Sequence, residues 1–576
     1  MRLMMILGLA LLLCSCLSCS RPPDENQKFE SLAKEYIEKL LTSNPELATT
    51  LGDHRFDHRL NDYTLEGIKS QVALNRQCLD ALAGIDVSRL NAGNQIDREI
   101  LKSSINSALY QLENLKEYEW NPLAYNAGNA IYLLIARDTA PLKDRLRKVA
   151  GRLKELPQVL EAAKTNLKRP PKVQVETAIL QNKGNVNLVK QELNPLIDQV
   201  PELKQELAAA QAQAASALEA YGNWLEKELL PKADGEFRIG LEKYQKKLRF
   251  VLDSDLSAEE ILRHAQEDLK TTQDALYATA LPLYGKLFPR IPEFRKPKDH
   301  KQLVKAVLDK LADSHPTNEN IVELARKALE ETTQFVRTRQ LVAVPEEPVK
   351  VIVMPEFKRG VATAYCDSPG PLEPKADTFF SISPTPADWS PARATSFYRE
   401  YNNYMLQNLT VHEAMPGHYL QLAHSNKYKG SSLIRAIFGS GTFIEGWATY
   451  SEQLMVEKGY GGPEMKMQQL KMRLRLILNA ILDQEIHTAG MTEKEAMTLM
   501  MEEGYQEEGE AAGKWRRACL TSTQLSTYYV GNLEVNGLRK AYEAKNGPIQ
   551  DWKSFHDQLL SFGSPGPKYI KKLMGI

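Results

Sequence analysis

Apolar residues recur along most of this chain at the three- and four-residue spacing that lines one face of a helix. Phe29, Leu32, Ala33, Tyr36, Ile37, Leu40 and Leu41 follow that spacing and stop at Ser43-Asn44-Pro45, which predicts an amphipathic helix ending there. Between Pro201 and Pro231 an alanine-rich run, Glu202 to Leu230, has the helix propensity for one long helix. Ser257 with Glu260, and Thr492 with Glu495, have the spacing of capping boxes that open further helices. The pattern changes in the middle. Val342 to Met354 and Asp377 to Ile382 are β-branched or aromatic runs punctuated by prolines, which predict a few short strands. Pro384, Pro386 and Pro391 then mark a loop before helices resume near Ala394. The expected fold is mainly α, a large helical cradle with a small β-sheet.

Composition narrows the partners. The 576 residues hold 73 basic and 73 acidic side chains, so no net field draws the chain to nucleic acid or to an anionic membrane face. Residues 1–20 combine Arg2, an apolar run from Leu3 to Leu13, and small residues with cysteines. That run is shorter than the ~18 residues a membrane span needs, so it predicts an export signal. Leu13-Cys14-Ser15-Cys16 has the form of a bacterial lipobox, which makes Cys16 the expected lipidated residue, with Cys19 the alternative. The expected location is the bacterial cell envelope, tethered to a membrane through a lipidated N-terminus. Past the signal only Cys78, Cys366 and Cys519 remain, too few and too scattered for a disulfide framework or a cysteine metal site. The expected organisation is a signal peptide over 1–19, a short linker over 20–28, a mainly helical region over 29–340 and a catalytic region over 341–576.

The chemistry is concentrated in His412-Glu413-Ala414-Met415-Pro416-Gly417-His418, a carboxylate beside two histidines, the set that zinc-dependent hydrolysis requires. Histidines four apart on a regular helix share a face, whereas six apart they diverge by about 120°. Pro416 and Gly417 supply the remedy, because one removes a backbone donor and the other accepts unusual dihedrals. The motif therefore predicts a helix distorted by a bulge that swings His418 back toward His412. A hydrolytic site takes a third protein ligand. In Gly441 to Glu452 two acids, Glu445 and Glu452, lie seven residues apart and share a helix face, so either can reach a metal. Glu445, followed by Gly446, is the expected ligand, and Glu452 a supporting partner or a surface acid. Glu413 is the expected general base. His424, among Ser425, Asn426 and Lys427, reads as a solvated histidine near a helix end rather than a ligand.

The stretches HEAMPGHYLQ, FIEGWATYSEQL and QLSTYYVG resemble the domain-of-unknown-function 885 proteins, which are placed among gluzincin-type metallopeptidases. The likeness runs from about residue 29 to the C-terminus, and its first two motifs are specific. It implies a gluzincin-like helical cradle with a small sheet beside the site, a catalytic zinc held by His412, His418 and Glu445, and Glu413 as general base. Three departures stand out. Tyr419 replaces a second histidine after Pro-Gly, which leaves His418 as the candidate ligand. Arg517, Gln524 and Tyr528 match the family's C-terminal pattern, while its proline, glycine and lysine are absent. The turn between Tyr365 and the FFSIS strand is replaced by PGPLEPKAD.

Among the matched residues, Tyr528 is suited to stabilise charge growing on a carbonyl oxygen, and Arg517 either to grip a peptide's C-terminal carboxylate or to form a structural salt bridge. His487 also matches, with a place near the site or a core or capping role both open. The combined expectation is a zinc metallopeptidase acting on short peptides. Hydrolysis of a non-peptide amide, or a zinc-containing binding lipoprotein without turnover, are the alternatives. Oligomeric state, substrate sequence and the choice between amino and carboxyl ends have no readable motif.

Overall fold

The computed structural model describes residues 24–354, 364–373, 376–386 and 389–576. The signal segment, Cys16 and Cys19 lie outside the described residues. The described chain is mainly helical, with a three-stranded sheet in its middle. None of its helices is long and apolar enough to cross a membrane.

The first helix, Glu25–Ser43, buries Phe29, Ala33, Tyr36, Ile37 and Leu41, the stripe that the apolar spacing predicts. It starts within the 20–28 segment read from the sequence as a linker. Pro45 opens the next helix, Pro45–Leu51, in the first turn, where its missing N–H removes no helical bond. The alanine-rich run forms the helix Lys204–Trp224, continued by a wider turn over Leu225–Leu229. Its buried Ala210, Ala214, Leu218 and Tyr221 pack into the same core as Leu146, Leu153 and Leu160 of the helix Leu142–Asn166. Both capping boxes form. Ser257 and Thr492 each accept the amide of the glutamate three residues on, and that glutamate accepts theirs in return.

The sheet has strands β1 (Val349–Val353), β2 (Ala364–Asp367) and β3 (Thr378–Ile382) in the order β1-β3-β2. β1 runs parallel to β3 and β2 antiparallel, with Cys366 opposite Phe380. Only the second half of the Val342 to Met354 run is strand. Pro345 and Pro348 have no donor for a ladder, and Val342 packs into the core instead. β2 has no counterpart among the strands the sequence predicts, because AYCD is too short and too poor in β-branched residues to signal one.

Apolar packing crosses residue 341. Ile321, Ala325 and Val336 join Phe380, Trp447 and Phe555 in one cluster. Ile434 and Tyr569 join Phe29 and Tyr36 in another. The N-terminal helices and the histidine-bearing helices are thus held against each other by shared cores.

Candidate metal centre

Four helices and the edge of the sheet meet at the histidine motif. The helix Asn403–Glu413 carries His412 and Glu413 at its last turn. A new helix, His418–Ser425, starts at the second histidine. The expected bulge within one helix is therefore a complete break, a turn over 414–417 that contains a cis Met415–Pro416 peptide. The Gly417 amide reaches back to the Val411 carbonyl at 2.9 Å, folding the chain on itself. A Cβ at Gly417 would lie 1.8 Å from the His412 carbonyl oxygen, so only glycine permits this return. Trp447, fully buried, pins the turn by donating its indole N–H to the Pro416 carbonyl at 2.8 Å.

The fold-back brings the two imidazoles to a ring separation of 4.7 Å at 87°. The helix Gly441–Glu457 lies across them. Glu445 Oε2 is 3.5 Å from His412 Nε2 and 3.4 Å from His418 Nε2. His412, His418 and Glu445 each offer one ligand atom, and these atoms lie within 4.8 Å of one another, a set able to hold a metal ion. Glu445 Oε2 is a buried oxygen without a hydrogen-bond donor, which is what a metal-facing carboxylate looks like when protein donors leave it free.

Glu452 is buried, not a surface acid. Its Oε1 bonds His412 Nδ1 at 2.7 Å, and its Oε2 accepts from Asn408 Nδ2 at 2.7 Å. With Nδ1 taken, the Nε2 of His412 is turned toward Glu445. Gly446 serves helix packing. A Cβ there would meet the Gly531 carbonyl oxygen at 2.4 Å, so paired glycines let the Gly441–Glu457 and Ser526–Asn546 helices touch. That contact seats Tyr528, one turn before Gly531, within the electrostatic reach of Glu445.

Glu413 is fixed by the sheet. Its Oε2 accepts the Cys366 amide at 2.9 Å. As an edge strand, β2 has outward N–H groups to spare, and one of them serves the site. Arg137 in turn holds β2, pairing with Asp367 and donating to the Ser368 carbonyl at 2.8 Å. Burial pushes the Glu413 carboxyl above the ordinary range, with His418 and His412 opposing. Burial works upward on Glu445 too, but His418 and His412 outweigh it and hold that carboxyl well below the ordinary range.

The C-terminal residues gather nearby. Arg517 Nη2 donates to Tyr528 Oη and to Gln524 Oε1, both at 3.0 Å. Burial, then the Glu445 charge, pushes the Tyr528 hydroxyl upward. His487 is buried and bonds the carbonyls of Ala518 at 3.0 Å and Thr521 at 2.8 Å, so it fastens the end of the helix bearing Arg517. His424 lies apart, partly buried, with Nε2 on the Ala343 carbonyl at 2.8 Å. Tyr419 is directed away, its hydroxyl donating to the Glu347 carbonyl. Of the PGPLEPKAD segment, Gly370 and Leu372 are seated on Leu51, and Glu373 bonds His54 at 2.7 Å. Pro374 and Lys375 lie outside the described residues. The sequence missed the Cys366 amide, Arg137 and Asn408. Asn408 was findable, since it sits one helical turn before His412 on the same face.

The fold is shared with two solved structures. A candidate lipoprotein of unknown function from Shewanella oneidensis superposes with a TM-score of 0.81 at 33% identity, over 95% of this chain and 100% of its own. A candidate lipoprotein from Colwellia psychrerythraea superposes at 0.79 with 19% identity, over 96% and 99%. An M32 carboxypeptidase from Deinococcus radiodurans reaches 0.31 at 13% identity, over 88% and 95%, too distant to carry an argument. No curated protein matches the chain. A family model matches residues 45–574, and the chain belongs to that family, described as "Bacterial protein of unknown function (DUF885)".

Proposed function

We propose that this protein is a gluzincin-like zinc peptidase that hydrolyses short peptides at the cell envelope. The observation that carries the reading is Glu445 Oε2, a buried carboxylate oxygen without a donor, set 3.4 Å and 3.5 Å from two imidazole nitrogens. Tetrahedral ligands at the usual zinc distances of about 2.1 Å stand about 3.4 Å from one another, so the spacing suits that ion. Bound there, zinc would supply a Lewis acid that polarises a carbonyl and makes water acidic near neutral pH.

The residues around it divide the remaining work. Glu413 has Oε2 engaged by the Cys366 amide, which leaves Oε1 to take a proton from the attacking water and deliver one to the leaving amine. The Tyr528 hydroxyl, oriented by Arg517, is placed to donate to the carbonyl oxygen as charge grows on it. Glu452 keeps His412 in the orientation and tautomer a metal needs. The lipobox at Leu13 to Cys16 and the candidate lipoproteins among its relatives support a tether through Cys16, with Cys19 the alternative.

The deciding experiment pairs metal analysis with cleavage of a mixed peptide pool read by mass spectrometry. Wild type is expected to hold one zinc and to cut peptides in a chelator-sensitive manner. Glu413→Gln is expected to keep the zinc and lose about 10²-fold or more in turnover. Full activity in that variant would overturn the mechanism. Mass analysis of the mature N-terminus checks the tether, and an unmodified Cys16 and Cys19 would remove it.

A further inference from the structure

Beyond β2, residues 368–373 cross to the N-terminal helices as a strap fastened at both ends. At the near end Arg137 pairs with Asp367 and donates to the Ser368 carbonyl at 2.8 Å. At the far end the Leu372 amide donates to the Leu51 carbonyl at 2.8 Å. Gly52, at φ 90°, leaves room for the Glu373 backbone, since a Cβ there would lie 2.4 Å from the Glu373 amide nitrogen. The Glu373 side chain then reaches His54, with Oε2 at 2.7 Å from Nε2. The other ring nitrogen, Nδ1, lies 2.8 Å from Asp57 Oδ2.

Both partners of this imidazole are carboxylates, and an ionised carboxylate only accepts. Each ring nitrogen must therefore carry a hydrogen, so His54 is an imidazolium that joins two acids. A neutral imidazole has one N–H and one lone pair, which serves one carboxylate and repels the other. Asp57 is held in place, because Thr49 donates to its Oδ1 at 2.6 Å and Lys148 to its Oδ2 at 2.9 Å. The charge of Arg152, from the same helix as Lys148, also acts on Asp57, and Asp53 is a further acid beside it. Among the described residues the Glu373 carboxylate has His54 as its one partner, and its side chain is only 5% exposed. Glu373 is thus the group that lets go, since a buried carboxylate without a donor is driven to water. Of the groups around this turn, histidine alone has an ordinary value near neutrality. The Asp57 hydrogen bond, helped by Glu373 and opposed by burial, raises His54 above that value. The link is therefore complete below the ordinary ~6.5 and is lost as pH rises through the raised value.

We propose that His54 is a pH-sensitive clasp, which fastens the 368–373 strap to the N-terminal helices while charged and frees Glu373 when neutral. The strap continues β2, whose Cys366 amide seats Glu413. Release leaves the near fastening at Arg137 in place and loosens that seat from the far side. The bearing of the clasp on turnover rests on the peptidase reading, whereas the clasp itself does not.

The test uses the full chain. Histidine-ring NMR, with His54 assigned by its loss in His54→Gln, gives the titration midpoint of His54, which is expected above the ordinary ~6.5. Glu373→Gln should lower that midpoint. Amide hydrogen exchange of Leu372 and Glu373, corrected for the chemical rate at each pH, is then read one unit below and one unit above the wild-type midpoint. It should rise at least about fivefold across the midpoint in wild type, with a smaller rise at Cys366, and show no step in His54→Gln. Should His54→Gln not fold, the resonance that shifts in Glu373→Gln identifies His54, and that variant should lack the step as well. A wild-type midpoint at or below ~6.5, a midpoint unmoved by Glu373→Gln, or exchange without a step overturns the proposal. Peptide cleavage by zinc-loaded wild type is scored separately. The midpoint and the step without any cleavage sink the peptidase reading alone, and cleavage without them sinks the clasp alone.

Discussion

Two buried histidines flank the helix Gly441–Glu457, and they are treated in opposite ways. His556 has both ring nitrogens satisfied, Nδ1 donating to the Leu341 carbonyl at 2.6 Å and Nε2 accepting the Tyr450 hydroxyl at 2.9 Å. Trp447 packs edge-on at 5.3 Å, and burial pushes the imidazole down to about 4. His412 has Nδ1 fastened to Glu452, but its Nε2 faces a carboxylate oxygen that has no donor. The two sites share a helix, a residue type and a buried setting. What separates them is closure of the hydrogen-bond set. A closed set makes a structural histidine, whereas an open one, aimed at a common point with His418, makes a place for a ligand.

Breaking the metal side should have the largest effect. Gly417→Ala sets a methyl carbon 1.8 Å from the His412 carbonyl, so the turn must open and the imidazoles part. Metal analysis should find no stoichiometric zinc in that variant, while circular dichroism remains helical. Retention of full zinc would show that the turn does not control the centre. Glu452→Gln comes next. It keeps the shape but weakens the grip on Nδ1, and zinc affinity should fall by about 10- to 100-fold by competition with a chelating dye.

His556→Gln should leave zinc affinity unchanged and lower stability instead, which separates the two histidines in one pair of measurements. The effect has a pH signature. Between pH ~4 and the ordinary histidine value of ~6.5 the unfolded chain binds the extra proton, so the His556 contribution is complete above 6.5 and is lost as pH falls toward 4. On the order of 3 kcal/mol is involved. Denaturant melts at pH 7 and pH 5 should therefore converge more in His556→Gln than in wild type. An unchanged difference would mean that His556 is not held neutral. The smallest effect is expected of Asn408→Ala, which removes one donor from Glu452 and should cost less than about tenfold in zinc affinity.

Short-range rules read the helices well. The Phe29 to Leu41 stripe and the two capping boxes depend on residues three or four apart, and they appear in the structure as spaced. The pairing of Glu445 and Glu452 was legible for the same reason, since seven residues return to one helix face. The duty of Glu452 was legible only as two alternatives. It reads as a supporting partner or a surface acid, and the Asn403–Glu413 helix, which covers it, decides for the partner of His412. β2 escaped because strand identity in four residues depends on the partner β3 more than on local preference.

Local sequence, then, was enough to name a carboxylate and two histidines as the chemical centre, to require a deformation at Pro416 and Gly417, and to frame the chain in helices. Distance along the chain hid the rest. The break at 414–417 is pinned by Trp447, some thirty residues on. Glu413 is anchored by Cys366, across a strand that is itself held by Arg137. Glu400 is held by Lys471 and Arg475, some seventy residues on. Hydrogen bonds and charges act over a few ångströms in space, and only the folded chain decides which distant residues come within that range.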